Sequence, residues 1–265
     1  MAINLDSIRA KLSDLQKNTG KGERQDSLWK PEPGTQVIRI VPYQFNKDNP
    51  FNELYFHYEF GNKQYLSPAT FGKADPVVEF SEKLQSTGRK EDWKLGKKIE
   101  PKMRCYAPII VRGKEHEGVK FWGFGKTVYQ ELLGFIADPD YGDITDPASG
   151  RDITVEFKTK EQTGKDYPET SIRIKPNQTP VHTDKDIISK IATGQKNLLE
   201  IFKEPSYEDL KVVLTNWLNR DTEGVTEEGS TGAPAAASKV STPTKPAETK
   251  SVEDISSAFD DLFKN

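Results

Sequence analysis

The sequence is short of several features that would point to export or to a membrane. It contains one cysteine, Cys105, which excludes an intramolecular disulfide and leaves no sign of an oxidising compartment. It has no run of about eighteen apolar residues, and its N-terminus lacks the apolar segment of a signal peptide. We therefore expect a soluble, intracellular protein.

Residues that carry catalysis or bind metals are also scarce. The three histidines, His57, His116 and His182, are scattered, and none has a companion at metal-ligand spacing. Neither a serine nucleophile motif nor a paired-carboxylate signature stands out in the sequence. The sequence therefore predicts a protein that is not an enzyme and that needs neither a cofactor nor a metal ion.

Charge is distributed unevenly along the chain. The formal net charge of the whole chain is −3, but residues 221–265 hold nine acidic and four basic side chains. Residues 1–220 therefore carry a small positive excess. A mildly basic body with an acidic tail is a polarity seen among proteins that handle nucleic acid.

The most informative stretch is 89–126, where basic and aromatic residues are interleaved. Its first sixteen residues contain seven basic and three acidic side chains. The aromatic residues among and after them are Trp93, Tyr106, Phe121, Trp122 and Phe124. Single-stranded nucleic acid offers phosphates to cations and base faces to aromatic rings, so this mixture favours such a ligand. The alternative is a solvated basic loop followed by an ordinary buried strand.

Hydrophobic periodicity predicts a strand-rich body with a few helices. Strands are expected at 36–41, 54–60, 64–66, 105–111, 119–124, 153–158 and 171–175. Helices are expected at about 76–85, 127–137, 184–202 and 206–219. This order is compatible with an OB-fold-like β-barrel core, a five-stranded Greek-key arrangement.

Both ends of the chain differ from the body. Residues 1–20 carry apolar residues at helical spacing, which predicts a helical arm. Residues 221–250 have the composition of a disordered linker without aromatics. Residues 251–265 combine acidic residues with an apolar helical face and form an acidic amphipathic tip. The residues of the tip expected to bind partner proteins are Ile255, Phe259, Asp260, Asp261, Leu262 and Phe263.

Several segments together resemble the single-stranded DNA-binding (helix-destabilising) proteins of T-even-type bacteriophages. The matching segments are Val37–Pro42, His57–Phe60 with Lys63–Tyr65, Trp93–Lys98, Tyr106–Val111, and Trp122–Lys126 leading into a helix. The resemblance implies an OB-fold core over 21–220 with an inserted basic subdomain at about 55–105. It also implies an N-terminal arm for cooperative self-association and an acidic C-terminal tail that contacts replication proteins.

The same resemblance implies DNA contacts at particular positions. On the family pattern they fall at Arg39, Tyr65, Trp93, Lys97, Lys98, Tyr106, Trp122 and Tyr167. Nearby basic residues complete the predicted nucleic-acid-binding set: Lys63, Arg89, Lys90, Arg104 and Lys126. Self-association along DNA is expected to use residues of the arm: Leu5, Ile8, Arg9, Lys11, Leu12 and Leu15.

The sequence departs from the family pattern at the zinc site. The well-known form of the family holds zinc with one histidine and three cysteines in the inserted subdomain. His57 stands at the histidine position, but 67–78 contains no cysteine. We therefore predict that this chain binds no zinc and that apolar packing holds the subdomain. The candidates for that packing are Phe71, Val77, Val78 and Phe80.

These observations lead to one functional hypothesis with two alternatives. The main hypothesis is a protein that coats single-stranded DNA during phage replication, recombination and repair, in the cytoplasm of an infected bacterium. Its expected partners are single-stranded DNA, neighbouring protomers and phage replication or recombination proteins, with no membrane contact. The alternatives are a single-stranded RNA binder acting as a translational repressor and a non-catalytic virion scaffolding protein.

Overall fold

The computed structural model describes residues 26–61 and 63–223, together with Phe259, Leu262 and Phe263. This part of the chain is a mixed α/β structure with eight strands and seven α-helices. It divides into two units. Unit 1 takes the chain up to Tyr55 together with Met103–Lys203, and unit 2 takes Phe56–Lys102 together with the chain from Glu204 onward. Among these described residues, no helix is both long and apolar enough to cross a membrane.

Eight strands run in the order of the sequence. They are β1 (Leu28–Trp29), β2 (Gly34–Ile40), β3 (Asn52–His57), β4 (Tyr65–Leu66), β5 (Lys102–Val111), β6 (Lys120–Phe124), β7 (Arg151–Lys158) and β8 (Glu169–Gln178). The sheet of unit 1 has the strand order β1-β6-β5-β2-β7-β8. It is mixed because β1 runs parallel to β6, whereas the other neighbours on this path are antiparallel.

The core of unit 1 follows from the alternation of side chains along its strands. In β2, Ile38 and Ile40 point to one face and are fully buried there, and Ile153 of β7 joins them. Strand residues two apart share a face, so the apolar pair in β2 is what fixes this side as the core. The helices of unit 1 are α3 (Lys126–Ala137), α4 (Lys160–Thr163), α5 (Lys185–Thr193) and α6 (Leu198–Ile201).

Unit 2 is built mainly from three helices: α1 (Pro76–Ser86), α2 (Lys90–Ile99) and α7 (Tyr207–Glu223). The short strand β4 pairs with the end of β3, with His57 opposite Tyr65. The apolar core of the unit contains Val77, Phe80 and Leu84 of α1, Ile99 of α2 and Leu214 of α7, among others.

Helix α7 begins with a reciprocal cap. The Ser206 hydroxyl accepts a hydrogen bond from the Asp209 amide at 3.1 Å, and Asp209 Oδ2 accepts from the Ser206 amide at 3.4 Å. Such a capping box satisfies two backbone donors at a helix start. The cap at Ser206 therefore fixes the start of the helix that the sequence predicts over 206–219. Helix α7 is tied to α1 by a hydrogen bond of 2.6 Å from the Tyr207 hydroxyl to the Glu79 carboxylate.

Several predicted elements differ from the observed ones. The basic stretch, for which the sequence pattern predicts no regular structure, contains helix α2. The helix predicted over 184–202 is two helices, α5 and α6, since α5 ends before Gly194. Residues 221–223, predicted as the start of the linker, continue helix α7. The predicted arm, 1–20, and the rest of the linker lie outside the described residues.

Candidate nucleic-acid interface

The strongest concentration of exposed positive charge in the predicted site lies on helix α2. Lys90, Lys94, Lys97 and Lys98 recur at spacings of four, three and one, which places them on one side of the helix. Trp93 belongs to the same side, and all five side chains are exposed. We call these five residues the lysine face. Its members are held on a regular helix and not on a loop.

The opposite side of α2 explains why the lysines point outward. Asp92, Gly96 and Ile99 are buried. A Cβ atom at Gly96 would lie 2.8 Å from the Ser81 carbonyl oxygen, so glycine permits the close approach of α1 and α2. Ser81 also donates a hydrogen bond of 2.9 Å to the Gly96 carbonyl. The orientation of the lysine face is therefore fixed by close helix packing on its reverse side.

Trp93 combines a large exposed ring with a neighbouring cation. Its side chain is 49% exposed, although tryptophan is a residue type that usually buries most of its surface. The ammonium group of Lys97 lies 5.8 Å from the ring centroid. This arrangement presents a flat surface for a base beside a charge for a phosphate, which are the two groups that sequence-tolerant binding of single strands requires.

The lysines of the face make ion pairs that a phosphate can replace. Lys97 lies 2.9 Å from Glu100, and Lys98 lies 3.4 Å from Glu59. Both lysines are about half exposed, and ion pairs of this kind contribute about 0–1 kcal/mol. Exchange of a carboxylate partner for a nucleic-acid phosphate therefore costs little free energy.

A buried polar network lies where the family's zinc site would be expected. His57 is fully buried, and its Nε2 lies 2.9 Å from Asp75 Oδ2 while its Nδ1 lies 3.3 Å from the Ile99 carbonyl oxygen. The Ser67 hydroxyl donates to the same Asp75 oxygen at 2.5 Å. Hydrogen bonds from these side chains thus connect β3, the segment before α1 and the end of α2.

Asp75 also caps helix α1. Its Oδ1 accepts hydrogen bonds from the amides of Val77 at 2.9 Å and Val78 at 3.3 Å. Burial alone would raise the pKa of Asp75, but the hydrogen bonds from His57 and Ser67 and the nearby His57 charge outweigh it. The pKa of Asp75 therefore lies below its ordinary value. The carboxylate is stabilised in its charged form.

The packing expected in place of zinc is present in part. Val77 and Phe80 are fully buried in the core of unit 2, and Val78 is half-buried beside them in sequence. Phe71 is different, because it is 38% exposed and lies under the Lys73 ammonium at 5.6 Å. The sequence-based interpretation missed the polar network around Asp75. Lack of bound zinc stays a prediction.

Arg39 lies in the interior, contrary to the expectation that it contacts DNA. Its side chain has no exposed surface, and Nε lies 3.0 Å from Asp152 Oδ1 while Nη2 donates to the Thr179 carbonyl oxygen at 2.7 Å. Burial lowers the pKa of Arg39, and the Asp152 charge opposes that effect. Arg112 binds the same carboxylate at 2.8 Å. The prediction that Arg39 contacts DNA is therefore wrong, because its guanidinium forms a buried ion pair with Asp152.

Trp122 and Tyr106 are also in the core of unit 1. Trp122 is 1% exposed and packs edge-on against Trp29, with ring centroids 5.7 Å apart. Tyr106 is 6% exposed, and its ring lies 4.8 Å from that of Phe202. Phe121, the other aromatic residue of β6 that alternation could have turned outward, is buried as well. Neither face of β6 is available to a base in this structure.

Three other predicted residues of unit 1 have different environments. Tyr167 lies between β7 and β8, is 61% exposed, and has the Lys165 ammonium 5.9 Å from its ring centroid. Lys126 is exposed at the first residue of α3. Arg104 is half-buried and donates a hydrogen bond of 2.8 Å to the Gly123 carbonyl oxygen. Among the predicted stacking residues of unit 1, which are Tyr106, Trp122 and Tyr167, Tyr167 is the one with an exposed ring.

The remaining predicted contacts belong to unit 2 or lie outside the described residues. Lys63 and Arg89 are exposed, and Arg89 Nε lies 2.7 Å from Asp92. Tyr65 is half-buried against the apolar core of the unit. The predicted self-association residues, and Ile255, Asp260 and Asp261 of the tip, lie outside the described residues.

One residue of the lysine face was missing from the predicted set. Lys94 is exposed between Lys90 and Lys98 on the same side of α2. The signal that identifies it is the helical spacing of the basic residues themselves, since Leu95 and Ile99 at i and i+4 mark the inward side. If the stretch had been interpreted as a helix, this spacing would have assigned Lys94 to the lysine face.

A comparison with protein families matches residues 32–219 to the family described as gp32 DNA binding protein like. This match covers well over half of the chain. The chain belongs to this family. It is therefore a DNA-binding protein of a non-catalytic family, and the T-even-type resemblance found from the sequence is confirmed. No curated protein matches the chain.

Proposed function

We propose that the protein coats single-stranded DNA with little sequence preference. The observation that carries this proposal is the lysine face of α2, where a half-exposed tryptophan stands among four exposed lysines. Cations that follow a backbone and a ring that accepts any base supply affinity without reading base edges. Duplex DNA offers phosphates but no free base face, so it uses only half of this surface.

The proposal extends to architecture and biological role. The antiparallel strands of unit 1 around β2 and β5 support an OB-type barrel, with unit 2 as the inserted subdomain. Membership of the family supports a role in phage replication, recombination and repair, inside the infected bacterium. Cooperative contact between protomers through the N-terminal arm, and contact with replication proteins through the tip, belong to the same proposal.

Trp93→Ala tests the proposal directly. We expect this variant to weaken binding of fluorescein-labelled oligo(dT) by about 1–3 kcal/mol, because one stacking platform is removed. Binding is measured by fluorescence anisotropy, which does not depend on the tryptophan itself. The thermal unfolding midpoint is expected to stay near that of the parent, since the ring is half exposed.

Phe71→Ala is the matched control within unit 2. It removes another partly exposed ring with a lysine ammonium near it, but Phe71 does not belong to the lysine face. Oligo(dT) affinity should change little in this control. Equal weakening by both variants, or none by Trp93→Ala, would contradict the assignment of the lysine face.

Competition with other nucleic acids separates the alternatives. Unlabelled poly(dT) should displace the probe far better than duplex DNA of the same length. Displacement that is stronger with single-stranded RNA would favour the RNA-binding alternative. A protein that binds none of the three would fit the virion scaffolding alternative and would contradict the proposal.

A further inference from the structure

Three apolar residues of the acidic tip pack on unit 2. Phe259, Leu262 and Phe263 are helical and half-buried, and they join the apolar cluster that contains Phe80 and Leu214. The Phe259 ring meets the Phe80 ring edge-on, with centroids 5.8 Å apart. Their spacing of three and one places these three side chains on one side of a helix. These three residues of the tip therefore contact the helices α1 and α7 of their own chain through apolar side chains.

The contacts divide between two helices of unit 2. Phe80 belongs to α1, while the ammonium group of Lys211 on α7 lies 4.9 Å from the centroid of the Phe263 ring. Phe259 and Phe263 also pack on each other, at a centroid distance of 4.7 Å. The tip seat, as we name it, is the surface formed by α1 around Phe80 and by α7 around Lys211.

The seat holds the described tip residues through apolar and aromatic contacts. Its two helices carry acidic and basic side chains alike, with Glu79, Glu82 and Lys83 on α1 and Glu208, Asp209 and Lys211 on α7. The Lys211 ammonium lies against the Phe263 ring. Such a cation–π contact depends on attraction between the positive charge and the quadrupole of the ring. The described contacts of these three residues are therefore apolar and cation–π contacts.

The lysine face is oriented away from the cluster that receives the tip. Leu95 and Ile99 are the α2 residues in this cluster, and they lie on the side of α2 opposite the lysines. Occupation of the seat by Phe259 and its neighbours does not place these rings on the lysine face.

We propose that the tip seat is a binding site for a helical segment of the pattern Phe-x-x-Leu-Phe, and that Phe259, Leu262 and Phe263 of the same chain occupy it. Thirty-five residues separate Glu223 from Phe259. Tethering over such a length gives effective concentrations on the order of millimolar, so a site of weak intrinsic affinity is filled. Three of the residues expected to bind partner proteins, Phe259, Leu262 and Phe263, are thus already bound within their own chain. A partner must draw them out of the seat to reach them.

This inference does not depend on which nucleic acid the protein binds. Because the two bound forms of the tip exclude each other, the apparent affinity of the tip for any partner equals its intrinsic affinity multiplied by the fraction of time the tip is undocked. Removal of the seat would raise partner binding even in the absence of DNA.

A spin label at the C-terminus of the full-length chain tests the proposal. Asn265→Cys provides the attachment point, because Cys105 is buried and burial raises the pKa of its thiol. We expect the electron paramagnetic resonance spectrum to contain a slow-motion component from the docked tip. The double variant Phe259→Ala/Phe263→Ala should reduce this component several-fold. Asp260→Asn/Asp261→Asn is the matched control and should preserve it.

Salt and concentration supply the decisive comparisons. The slow component should persist between about 0.05 and 0.5 M salt, a range over which exposed charge–charge attraction is strongly screened. It should be independent of protein concentration and should fall when a free peptide of residues 251–265 is added at millimolar concentration. The proposal is overturned if salt or the Asn variant releases the tip, or if the alanine variant leaves the spectrum unchanged. A slow component that grows with protein concentration would assign the occupant to a second copy and would also overturn it.

Discussion

At the scale of single residues, burial decides which aromatic side chains can meet a base. Trp93 and Trp122 are both tryptophans in the basic stretch, yet one is 49% and the other 1% exposed. The difference arises because Trp93 lies on the outer side of a helix, whereas both faces of strand β6 are covered. Sequence alternation alone does not distinguish a strand covered on one face from a strand covered on both.

Trp122→Ala is therefore expected to act on stability and not on DNA contacts. Removal of a large buried ring costs about 3–5 kcal/mol, since the cavity is only partly filled by relaxation. Denaturant unfolding measures this destabilisation, and the affinity of the remaining folded protein for oligo(dT) should be close to that of the parent. A large drop in affinity in a variant that stays folded at the assay temperature would return Trp122 to the binding surface.

The buried pair of Asp75 and His57 gives a second prediction at this scale. Asp75→Asn removes the carboxylate that faces His57 and should destabilise the protein by about 3–5 kcal/mol at pH 7. Because the folded pKa of Asp75 is depressed, its stabilising contribution is complete above the unfolded pKa of about 3.9. It is lost as the pH falls through the lower folded pKa.

Urea unfolding at pH 7 and near pH 3 measures this dependence. The difference in free energy of unfolding between Asp75→Asn and the parent should be smaller at the acidic pH. Asp166→Asn, at an exposed carboxylate, serves as the control and should have little effect at either pH. A gap of equal size at both values would show that Asp75 contributes through packing and not through its charge.

At the scale of elements, the sequence predicts most strands because their apolar residues alternate clearly. The strands around Ile38 and Ile109 and the helix capped by Asp75 are recognisable from pattern alone. Helix α2 escapes such a pattern because its inward side carries a small residue, Gly96, where an apolar one is usual. The reason for a glycine at this position is the close contact with α1, which is tertiary information. The break between α5 and α6 is likewise not recognisable from the sequence, because the alternation of polar and apolar residues continues across it.

The lysine face predicts a specific salt dependence. Lys97→Gln together with Lys98→Gln should flatten the slope of log affinity against log salt, by about 0.7 for each phosphate of a single strand that is no longer neutralised. Anisotropy titrations with oligo(dT) at several salt concentrations give the slope. Lys185→Gln/Lys190→Gln changes two exposed lysines of α5 by the same charge and should leave it nearly unchanged. An unaltered slope in the first variant would exclude these two lysines from binding the DNA backbone.

At the scale of the whole molecule, the described body starts close to strand β1 at Leu28, after the predicted arm. Deletion of residues 1–20 should therefore leave affinity for a short oligonucleotide nearly intact, because it removes no described strand or helix. Cooperative coating of a long single strand should be abolished, because that step is expected to use the arm. Anisotropy with a short oligo(dT) and a gel-shift series on long DNA measure the two properties. If affinity for the short probe collapsed, the arm would belong to the folded body instead.

The division of the chain between the two units has a consequence for biosynthesis. Unit 2 takes residues from Phe56–Lys102 and again from Glu204 onward, so α1 emerges from the ribosome about 120 residues before α7. Until Leu214 is made, the apolar side of α1 around Val77 and Phe80 lacks one of its covering helices. Contacts between residues so distant in sequence slow folding, and the apolar surface stays exposed to solvent until they form. We therefore expect the nascent chain to expose this apolar side for about half of its synthesis, and to close unit 2 after unit 1 has been translated.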